Sequence, residues 1–537
     1  MRIAILLYGV ALAVRLALVA TFPDPAYPDS FYYVEVARAL ARGDGFSVDF
    51  IWIFADVGGR IPAEPVLPIP SNAHWMPLAS LVQVPFIWLL GPTAWASALP
   101  FALIGAVAAP LTWAVARDAG ASERVARAAA LLVALPVLSA VFMVQPDNFS
   151  LFQPLVLGAL WLGARGLRGG PGSGRAFVAA GFLAGLATLS RNDGVLVLGA
   201  LGLAFLWDRW RARRLSLGAA LGAVAAFAVV MVPWYARQVA TFGTLSPSTA
   251  SGKVLFIRSI EEWNSIDTPA TLERLLAMGA GPLLATRIAG LSAALTIFAV
   301  IAAGLLLVPF MLVGGWARRR SRDFGPFFLY AFALFAFSTL ISAVHVPGGT
   351  FLHSAVALIP HGYILAIEGV VLAVGWLAAR RPAWRHESAE RLFVGAAVAF
   401  AAVMTVAGSI VVHGTWSTKR DERVAVAQAL DDLGVAATDR LMTIDAAGYR
   451  YWTGRGGVVL VNDGLETIRD VAAAYDIRWL VIEREDAVAA VAPILNGDAR
   501  PAWVGPALLE IAEDAGERVR VGVYPVCLEP ADARCSR

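Results

Sequence analysis

Long apolar runs recur along the first three quarters of the chain and are separated by short polar connections. A helix that crosses a bilayer needs about 20 mainly apolar residues. Eleven segments meet or approach that length: 3–21, 93–116, 125–144, 149–165, 176–190, 194–208, 215–234, 287–313, 325–344, 353–379 and 391–413. The first is interpreted as a span and not as a cleaved signal peptide, because Arg15 interrupts its apolar run and many spans follow. The pattern predicts a polytopic α-helical membrane protein with about 11 transmembrane helices.

One further apolar stretch, 76–90, is short and contains Pro77 and Pro85. Short cytoplasmic loops of membrane proteins carry an excess of Arg and Lys. Arginine is concentrated here in five connections: 116–127, 165–175, 209–214, 318–322 and 380–391. If 76–90 lies in the membrane plane or returns to the face it entered from, all five connections lie in the cytoplasm, together with the N-terminus. If 76–90 crosses the membrane, all five lie outside. We therefore predict an in-plane or re-entrant segment and a cytoplasmic N-terminus.

This orientation places the long irregular stretches on the outer face. They are the loop 22–92, the loop 235–286, the turn 345–352 and everything after about 414. The predicted domains are a transmembrane catalytic domain, 1–414, and a soluble domain, 415–537. A membrane protein with its long loops and a soluble domain on one face is expected to work on that face.

The tail, residues 415–537, has the pattern of a small α/β domain. Apolar spacing predicts a helix at 421–433 and a second helix at 464–475. Short β-rich runs predict strands at 440–445, 457–461, 479–483 and 519–526. Cys527 and Cys535 are the only cysteines, and the sequence leaves open whether they pair or stay free thiols.

Composition supports the division into a membrane part and a soluble part. Apolar residues make up 58% of the chain and charged residues only 15%, against about 25% charged in average soluble domains. A disordered chain, a disulfide scaffold and an ordinary cytosolic enzyme are therefore excluded. The net charge of +3 is too small to indicate a nucleic-acid partner. It divides into +9 over residues 1–414 and −6 over the tail.

Two carboxylates are the candidates for chemistry on the outer face. Asp29 precedes a predicted surface helix at about 30–42, and Asp147 stands at the outer end of the third span. Each is also a suitable N-cap for the helix that follows it. The predicted topology puts both at the same depth on one face, where paired carboxylates can accept a proton from a hydroxyl or hold a divalent cation.

Basic residues on the outer face run against the general arginine pattern of the chain. Arg191, Arg237, Lys253 and Arg258 are placed where an anionic lipid headgroup would lie, although simple snorkelling to water gives the same pattern. Four histidines also face outward, namely His74, His345, His353 and His413, without tight metal-ligand spacing. His74 and His345 are candidates for a hydrogen bond to a ligand.

Arg15 lies in the middle of the first span, where a buried charge is costly. Glu368 is the acidic residue deep in a late span and is therefore its candidate partner.

These elements together resemble the GT-C superfamily of membrane glycosyltransferases, which use polyprenyl-phosphate sugars, and in particular the protein O-mannosyltransferase and aminoarabinose-transferase type. The resemblance covers roughly residues 1–260. Where many relatives have Asp-Glu, this chain has Asp29-Ser30. The matching features are Arg15, Asp29 with Tyr32 and Tyr33, His74 to Pro77, the arginine-flanked turn 117–127, Asp147, Ser190 to Gly194 and Pro233 to Gln238.

The resemblance implies transfer of a sugar from a polyprenyl-phosphate donor to an acceptor hydroxyl on a lipid, protein or glycan outside the cytoplasm. Asp29 would be the general base of an inverting displacement, and Asp147 would orient the acceptor or help to bind a cation. The resemblance implies donor-phosphate contacts from this set: Arg191, Arg237, Lys253, His74 and His345.

Two other function classes are compatible with parts of the pattern. A transporter or flippase for lipid-linked glycans shares the many spans and the outward cations. It predicts several deep charges and inverted repeats, whereas only Arg15 and Glu368 are deep and no repeat is evident. A membrane anchor that presents the tail as a binding module leaves Asp29 and Asp147 with no role beyond capping.

Overall fold

The computed structural model of the protein describes residues 1–245, 255–381, 383–512 and 518–529. The chain forms two compact units, each built from segments distant in sequence. The first unit contains Met1–Asp24, Met76–Ala236 and Leu284–His413, and the second contains Pro25–Trp75, Arg237–Leu283 and Gly414–Arg537. The predicted division into a 1–414 domain and a 415–537 domain stays a prediction.

Seven helices in the described part of the chain are long and apolar enough to cross a membrane. They are Arg2–Thr21, Ala94–Asp118, Ser173–Ser190, Leu217–Phe242, Ala280–Ala302, Thr350–Ala378 and His386–Asp432. The other four predicted spans are also largely helical, as Glu123–Ala134, Phe149–Arg168, Val195–Arg211 and Gly325–Ala336. The predicted fold class of a helical membrane protein is confirmed, and the number of eleven spans stays a prediction.

Two predicted helical segments are interrupted. The stretch 76–90 forms two short helices, Leu78–Leu81 and Val84–Leu90. The predicted span 287–313 passes from the helix Ala280–Thr296 through a π-helical turn and continues as Val308–Arg318.

Glycines allow two helices of the first unit to cross closely. A methyl group on Gly314 would overlap the Leu365 carbonyl, and one on Gly369 would overlap the Phe310 carbonyl. The helix Val308–Arg318 therefore packs backbone to backbone on Ile359–Ala378. Small residues at such crossings are typical of helix packing in membranes, where lipid gives no hydrophobic drive to associate.

The second unit is built around a sheet. Its strands are β1 Ser47–Val48, β2 Phe50–Ile51, β3 Ile69–Pro70, β4 Arg440–Thr443, β5 Gly457–Val459, β6 Ile477–Glu483, β7 Leu509–Ala512 and β8 Val519–Pro525. Six of them form one sheet in the order β2-β5-β4-β6-β8-β7, while β1 and β3 form a separate antiparallel pair. The β2, β5, β4 and β6 pairs are parallel, and β8 and β7 are antiparallel to their neighbours.

Short helices surround this sheet: Pro28–Arg42, Ile53–Val57, Ile260–Asn264, Leu272–Leu276, Ala446–Thr453, Leu465–Ala474 and Ala492–Asn496. Its core contains Val426, Leu430, Leu441, Tyr449, Trp479, Val481, Val521 and Val523.

The four predicted strands of the tail and the helix 464–475 match observed elements. The predicted helix 421–433 is the end of the longer helix His386–Asp432. Cys527 is disulfide-bonded, and Cys535 lies outside the described residues.

A buried ion network stabilises the centre of this unit. The Arg423 Nη1 atom lies 2.7 Å from an Asp445 carboxylate oxygen, and its Nε lies 3.2 Å from Glu483 Oε1. The second Asp445 oxygen accepts the Gly448 N–H at 3.0 Å and caps the helix Ala446–Thr453. Burial raises the pKa of Asp445, and the Arg423 charge opposes that shift.

Candidate functional site

Asp29 is the second residue of the helix Pro28–Arg42, which we call the Asp29 helix. The N-cap position is occupied by Tyr27. The Ser30 hydroxyl closes this end of the helix, because its oxygen accepts the Ala26 N–H at 3.0 Å and the Tyr27 N–H at 3.1 Å. Ser30 thus has a local structural role at the position where many relatives of the resembled type carry Glu.

The Asp29 carboxylate is held by an aromatic pair. The indole N–H of Trp75 donates to Asp29 Oδ1 at 2.8 Å. The Trp75 ring stacks on Tyr32 with centroids 4.0 Å apart, and the Tyr32 hydroxyl accepts the Asn72 N–H at 2.6 Å. Asn72 has a φ of 64°, in the left-handed region where Asn is enriched among residues other than Gly. One Asp29 oxygen is therefore fixed in direction by a rigid, buried support.

Arg237 and Gln238, near the end of the helix Leu217–Phe242, hydrogen-bond to the same support. Arg237 Nη2 donates to the Ser71 carbonyl at 2.7 Å, and Gln238 Nε2 donates to the Asn72 carbonyl at 2.9 Å. The Arg237 guanidinium lies 5.1 Å from the centre of the Phe46 ring. Arg237 thus has a structural role beside the Asn72–Trp75 segment. Its predicted contact with a donor phosphate stays a prediction.

His74 lies beside this support. Its ring contacts Trp75 edge-on at 5.1 Å and Trp263 at 5.6 Å. Sequence reasoning named His74 and Asp29 but missed Trp75, which donates to Asp29. The sequence did contain a signal for Trp75, because this residue lies within the His74 to Pro77 element that matches the resembled superfamily.

A second carboxyl group of this unit, Asp56, is shielded from water. Its Oδ2 accepts the Trp52 N–H at 2.9 Å, and its Oδ1 is buried without a hydrogen-bond partner among the described residues. Burial raises the pKa of Asp56 from 3.8 to about 7. Burial is the main cause, and the Asp56 charge a second cause, of a raised pKa at two neighbouring tyrosines. The pKa of Tyr32 is raised, and that of Tyr475 is raised to about 12.

The Asp56 pKa predicts a pH dependence of stability. A carboxyl whose pKa is higher in the folded than in the unfolded state destabilises the fold as pH rises from about 4 through 7, because the unfolded chain gives up its proton first. We expect Asp56→Asn to raise the unfolding temperature at pH 8 and to leave it nearly unchanged at pH 4. Thermal unfolding in detergent at both pH values measures this. An equal change at both would contradict the prediction, and Asp44→Asn is the exposed control.

In the first unit, Asp147 is fully buried next to a histidine. Its Oδ2 lies 3.6 Å from His353 Nδ1, and the His353 ring lies 4.2 Å from the Phe149 ring. The other Asp147 oxygen accepts the N–H of Asn148, which is the N-cap residue of the helix Phe149–Arg168. A carboxylate and an imidazole are both ligands that divalent cations accept, so this pair is suited to contribute to a cation site.

Arg191 is part of a polar network in the first unit. Its Nε lies 3.1 Å from Asp193 Oδ1 and 3.0 Å from the Ser354 hydroxyl, which itself donates to Asp193. A donor phosphate at Arg191 would share this arginine with the Asp193 carboxylate. Its predicted role in phosphate binding stays a prediction.

The predicted Arg15–Glu368 pair is wrong. Glu368 is paired with Arg318, whose Nε lies 2.9 Å from Glu368 Oε2. Arg15 is buried and donates from Nη1 to the Ala11 carbonyl one turn earlier, at 3.4 Å. Depth along a span can be read from sequence, but the direction in which a side chain points from its helix cannot.

The predicted site residues are distributed over both units. Asp29, His74 and Arg237 belong to the second unit, and Asp147, Arg191 and His345 belong to the first. His345 is buried, and its carbonyl accepts the Thr350 hydroxyl at 2.9 Å. Lys253 lies outside the described residues. The pairing of Asp29 with Asp147 stays a prediction.

Similarity to known proteins agrees with the predicted resemblance. ArnT from Cupriavidus metallidurans, crystallised bound to undecaprenyl phosphate, matches this chain with a TM-score of 0.58 and 16% identity, covering 97% of both chains. The chain has the ArnT fold. A further structure with the same general fold is the oligosaccharyltransferase AglB from Archaeoglobus fulgidus, in complex with an inhibitory peptide and a dolichol-phosphate. Its TM-score is 0.51 and its identity 12%, covering 98% of this chain and 74% of AglB.

The sequence itself also matches a family. The model of the dolichyl-phosphate-mannose-protein mannosyltransferases matches residues 73–235. That range contains His74, Trp75, Asp147 and Arg191 and ends two residues before Arg237. Among curated proteins, none matches the sequence significantly. The resemblance to GT-C glycosyltransferases is thus confirmed by the ArnT fold and by this family match.

Proposed function

We propose that this protein is an integral-membrane glycosyltransferase that moves a sugar from a polyprenyl-phosphate donor to an acceptor hydroxyl. The observation that carries the proposal is the mannosyltransferase family match over residues 73–235. The ArnT fold over 97% of the chain is consistent with it. The proposal is made for the class of donor, a polyprenyl-phosphate sugar, and for a hydroxyl acceptor on a lipid, a protein or a glycan.

The proposed mechanism is a single inverting displacement. Asp29 accepts the proton of the acceptor hydroxyl while that oxygen bonds to the anomeric carbon of the sugar. The bond from the anomeric carbon to the phosphate oxygen breaks, and polyprenyl phosphate leaves. The Trp75 hydrogen bond to Asp29 Oδ1 at 2.8 Å supports this role, because it orients the carboxylate before the acceptor arrives.

The remaining site residues are proposed to bind the substrates. Arg237 and Arg191 would stabilise the charge on the leaving phosphate, with Lys253, His74 and His345 as further contacts. Asp147 would orient the acceptor, or hold a divalent cation with His353. We further propose that the N-terminus is cytoplasmic and the C-terminal domain extracytoplasmic.

The test of the function is consumption of the donor. Purified protein in lipid vesicles is incubated with radiolabelled polyprenyl-phosphate sugars and a membrane extract that supplies acceptors, and nucleotide sugars serve as a parallel panel. We expect label to leave the lipid donor and to stay on the nucleotide sugars. Protein that binds a lipid donor and moves it across the vesicle membrane without consuming it would establish the alternative, a flippase.

Trp75→Phe tests the orientation of Asp29. Phenylalanine keeps a ring on Tyr32 but lacks the N–H that bonds to Asp29 at 2.8 Å. A hydrogen bond to a charged group contributes about 1.5–3 kcal/mol, so we expect kcat to fall by about ten-fold or more. We also expect the acidic limb of the pH–rate profile to move to higher pH, since the ionised carboxylate loses a donor. An unchanged profile would remove Trp75 from the mechanism, and Trp503→Phe is the matched control.

Arg237→Gln tests the phosphate contact. Loss of the guanidinium charge is expected to raise the KM for the lipid donor by about ten-fold, with a smaller change in kcat at saturating donor. Arg274→Gln is the control, because Arg274 belongs to the same unit and donates from Nη1 to the Pro269 carbonyl at 3.2 Å. Equal KM values in wild type and Arg237→Gln would indicate that this arginine only braces the Ser71 carbonyl.

A further inference from the structure

We infer that the C-terminal tail is the scaffold that positions the Asp29 helix, with Tyr451 and Arg450 as positioning residues. The inference rests on the proposed function of Asp29. It assigns a role to the tail that differs from an independent acceptor-binding module. Three sets of contacts within the second unit support it.

The first set is a strand shared between loop and tail. Strand β2 of the loop 25–75 occupies the edge of the tail sheet, with Phe50 opposite Gly457 and Ile51 opposite Val458. The Gly457 N–H donates to the Asp49 carbonyl at 3.1 Å. A side chain on Gly456 would overlap Asp49, so the tail backbone must approach the loop closely here. The loop therefore completes the sheet and is fixed by it.

The second set joins the Asp29 helix to the tail helix Ala446–Thr453. The Phe31 ring lies 5.4 Å from the Tyr451 ring, and the Arg38 guanidinium lies 4.4 Å from the centre of that ring. Arg450 extends toward the same helix, with Nε 4.0 Å from Glu35 Oε2. The Asp29 helix is thus held by aromatic, cation–π and ionic contacts along its length.

These contacts are made by the face of the helix away from Asp29. Successive residues of an α-helix are rotated by about 100°, so Phe31 points away from Asp29, whereas Tyr32 lies nearer to it. Tyr32 supports Trp75, which donates to Asp29. The tail therefore packs against one face of the helix. The opposite face carries the Asp29 carboxylate and contacts its aromatic support.

The third set fixes the other loop of the unit. The Asn462 N–H donates to the Asn264 carbonyl at 2.8 Å, and Asp463 Oδ2 accepts the Ile266 N–H at 2.6 Å. This segment carries Trp263, whose ring contacts His74, the neighbour of Trp75. The tail thus reaches the Asp29 support by a second route that does not pass through the Asp29 helix.

The test compares Tyr451, which contacts the Asp29 helix, with Ile511, which lies in the strand at the far edge of the tail sheet. Tyr451→Ala removes the ring between Phe31 and Arg38, Tyr451→Phe keeps it, and Ile511→Ala in β7 weakens the tail core at the opposite edge. A small misplacement of a catalytic group can cost up to about 100-fold in rate. We expect Tyr451→Ala to lower kcat by about ten-fold with an unchanged KM for the donor, and the other two variants to keep kcat.

A second readout does not depend on activity. Amide hydrogen exchange reports local opening, and we expect faster exchange at residues 28–42 in Tyr451→Ala and, less strongly, in the surface variant Arg450→Gln, but not in Ile511→Ala. Faster exchange in Tyr451→Ala, together with a wild type that has no transferase activity, would support the scaffold and overturn the proposed function. Unchanged exchange at 28–42 in both Tyr451→Ala and Arg450→Gln, or an equal change in Ile511→Ala, would overturn the scaffold.

Discussion

Replacing Asp29 with asparagine is expected to lower kcat by about 10²–10⁴-fold, the usual contribution of a general base. Asparagine has nearly the same shape, and its oxygen can still accept the Trp75 N–H that now lies 2.8 Å from Oδ1. Folding and donor affinity are therefore expected to be unchanged. What is lost is the ability to accept the proton of the acceptor hydroxyl as the new glycosidic bond forms.

Single-turnover rates with saturating donor measure this loss, and donor binding to the variant is measured in parallel. Asp44→Asn is the matched control, because Asp44 lies in the same loop and pairs with Arg42 at the surface, with Nε 2.8 Å from Oδ2. Turnover of Asp29→Asn within a few-fold of wild type would mean that another group accepts the proton.

Replacing Arg423 with methionine is expected to lower the free energy of unfolding by about 3–5 kcal/mol, because it leaves buried carboxylates without their counter-charge. In the folded protein Arg423 Nη1 lies 2.7 Å from Asp445, and its Nε lies 3.2 Å from Glu483. Both carboxylates are almost fully buried. Burial already raises the pKa of Asp445, and without the arginine this carboxyl is expected to take up a proton, so the deficit should shrink as pH falls.

Denaturant unfolding of the detergent-solubilised variant at pH 5 and pH 8 measures this effect. The compensated variant Arg423→Met, Asp445→Asn, Glu483→Gln should regain much of the stability, since the amide oxygen introduced by Asp445→Asn can still accept the Gly448 N–H. A loss below about 1 kcal/mol at pH 8 in Arg423→Met would show that the network contributes specificity of packing and not stability.

The sequence was sufficient for features with a strong local signal. Apolar length predicted helical membrane segments, and the predicted surface helix at about 30–42 is the Asp29 helix, which the structure places at Pro28–Arg42. Short runs of β-forming residues predicted β4, β5, β6 and β8 within a few residues. These signals are local, because each depends on one run of consecutive side chains, about 20 for a membrane helix and fewer for a strand.

Features that depend on distant segments could not be predicted. Strand β2 has two residues and no period, so its pairing with β5, about 400 residues later, has no signal in a single sequence. The pairing of Glu368 with Arg318 was missed because the direction of a side chain around a helix depends on packing. The Trp75 hydrogen bond to Asp29 depends on the turn at Asn72, whose φ is 64°.

The shared sheet also limits how the chain can thread through the bilayer. Residues 25–75, 237–283 and 414–537 belong to one compact unit, and a mixed sheet with open edges cannot be divided by, or dissolved in, hydrocarbon. The segment 237–283 has no strand in this sheet, but it is hydrogen-bonded to the tail at Asn264 and Ile266. We therefore expect all three segments to lie on the same side of the membrane, with an even number of crossings between each of them. The predicted spans give six crossings from 75 to 237 and four from 283 to 414. A crossing by 76–90 would raise the first number to seven, which is odd. The even number of crossings therefore supports a segment 76–90 that does not cross, and this argument is independent of the arginine distribution.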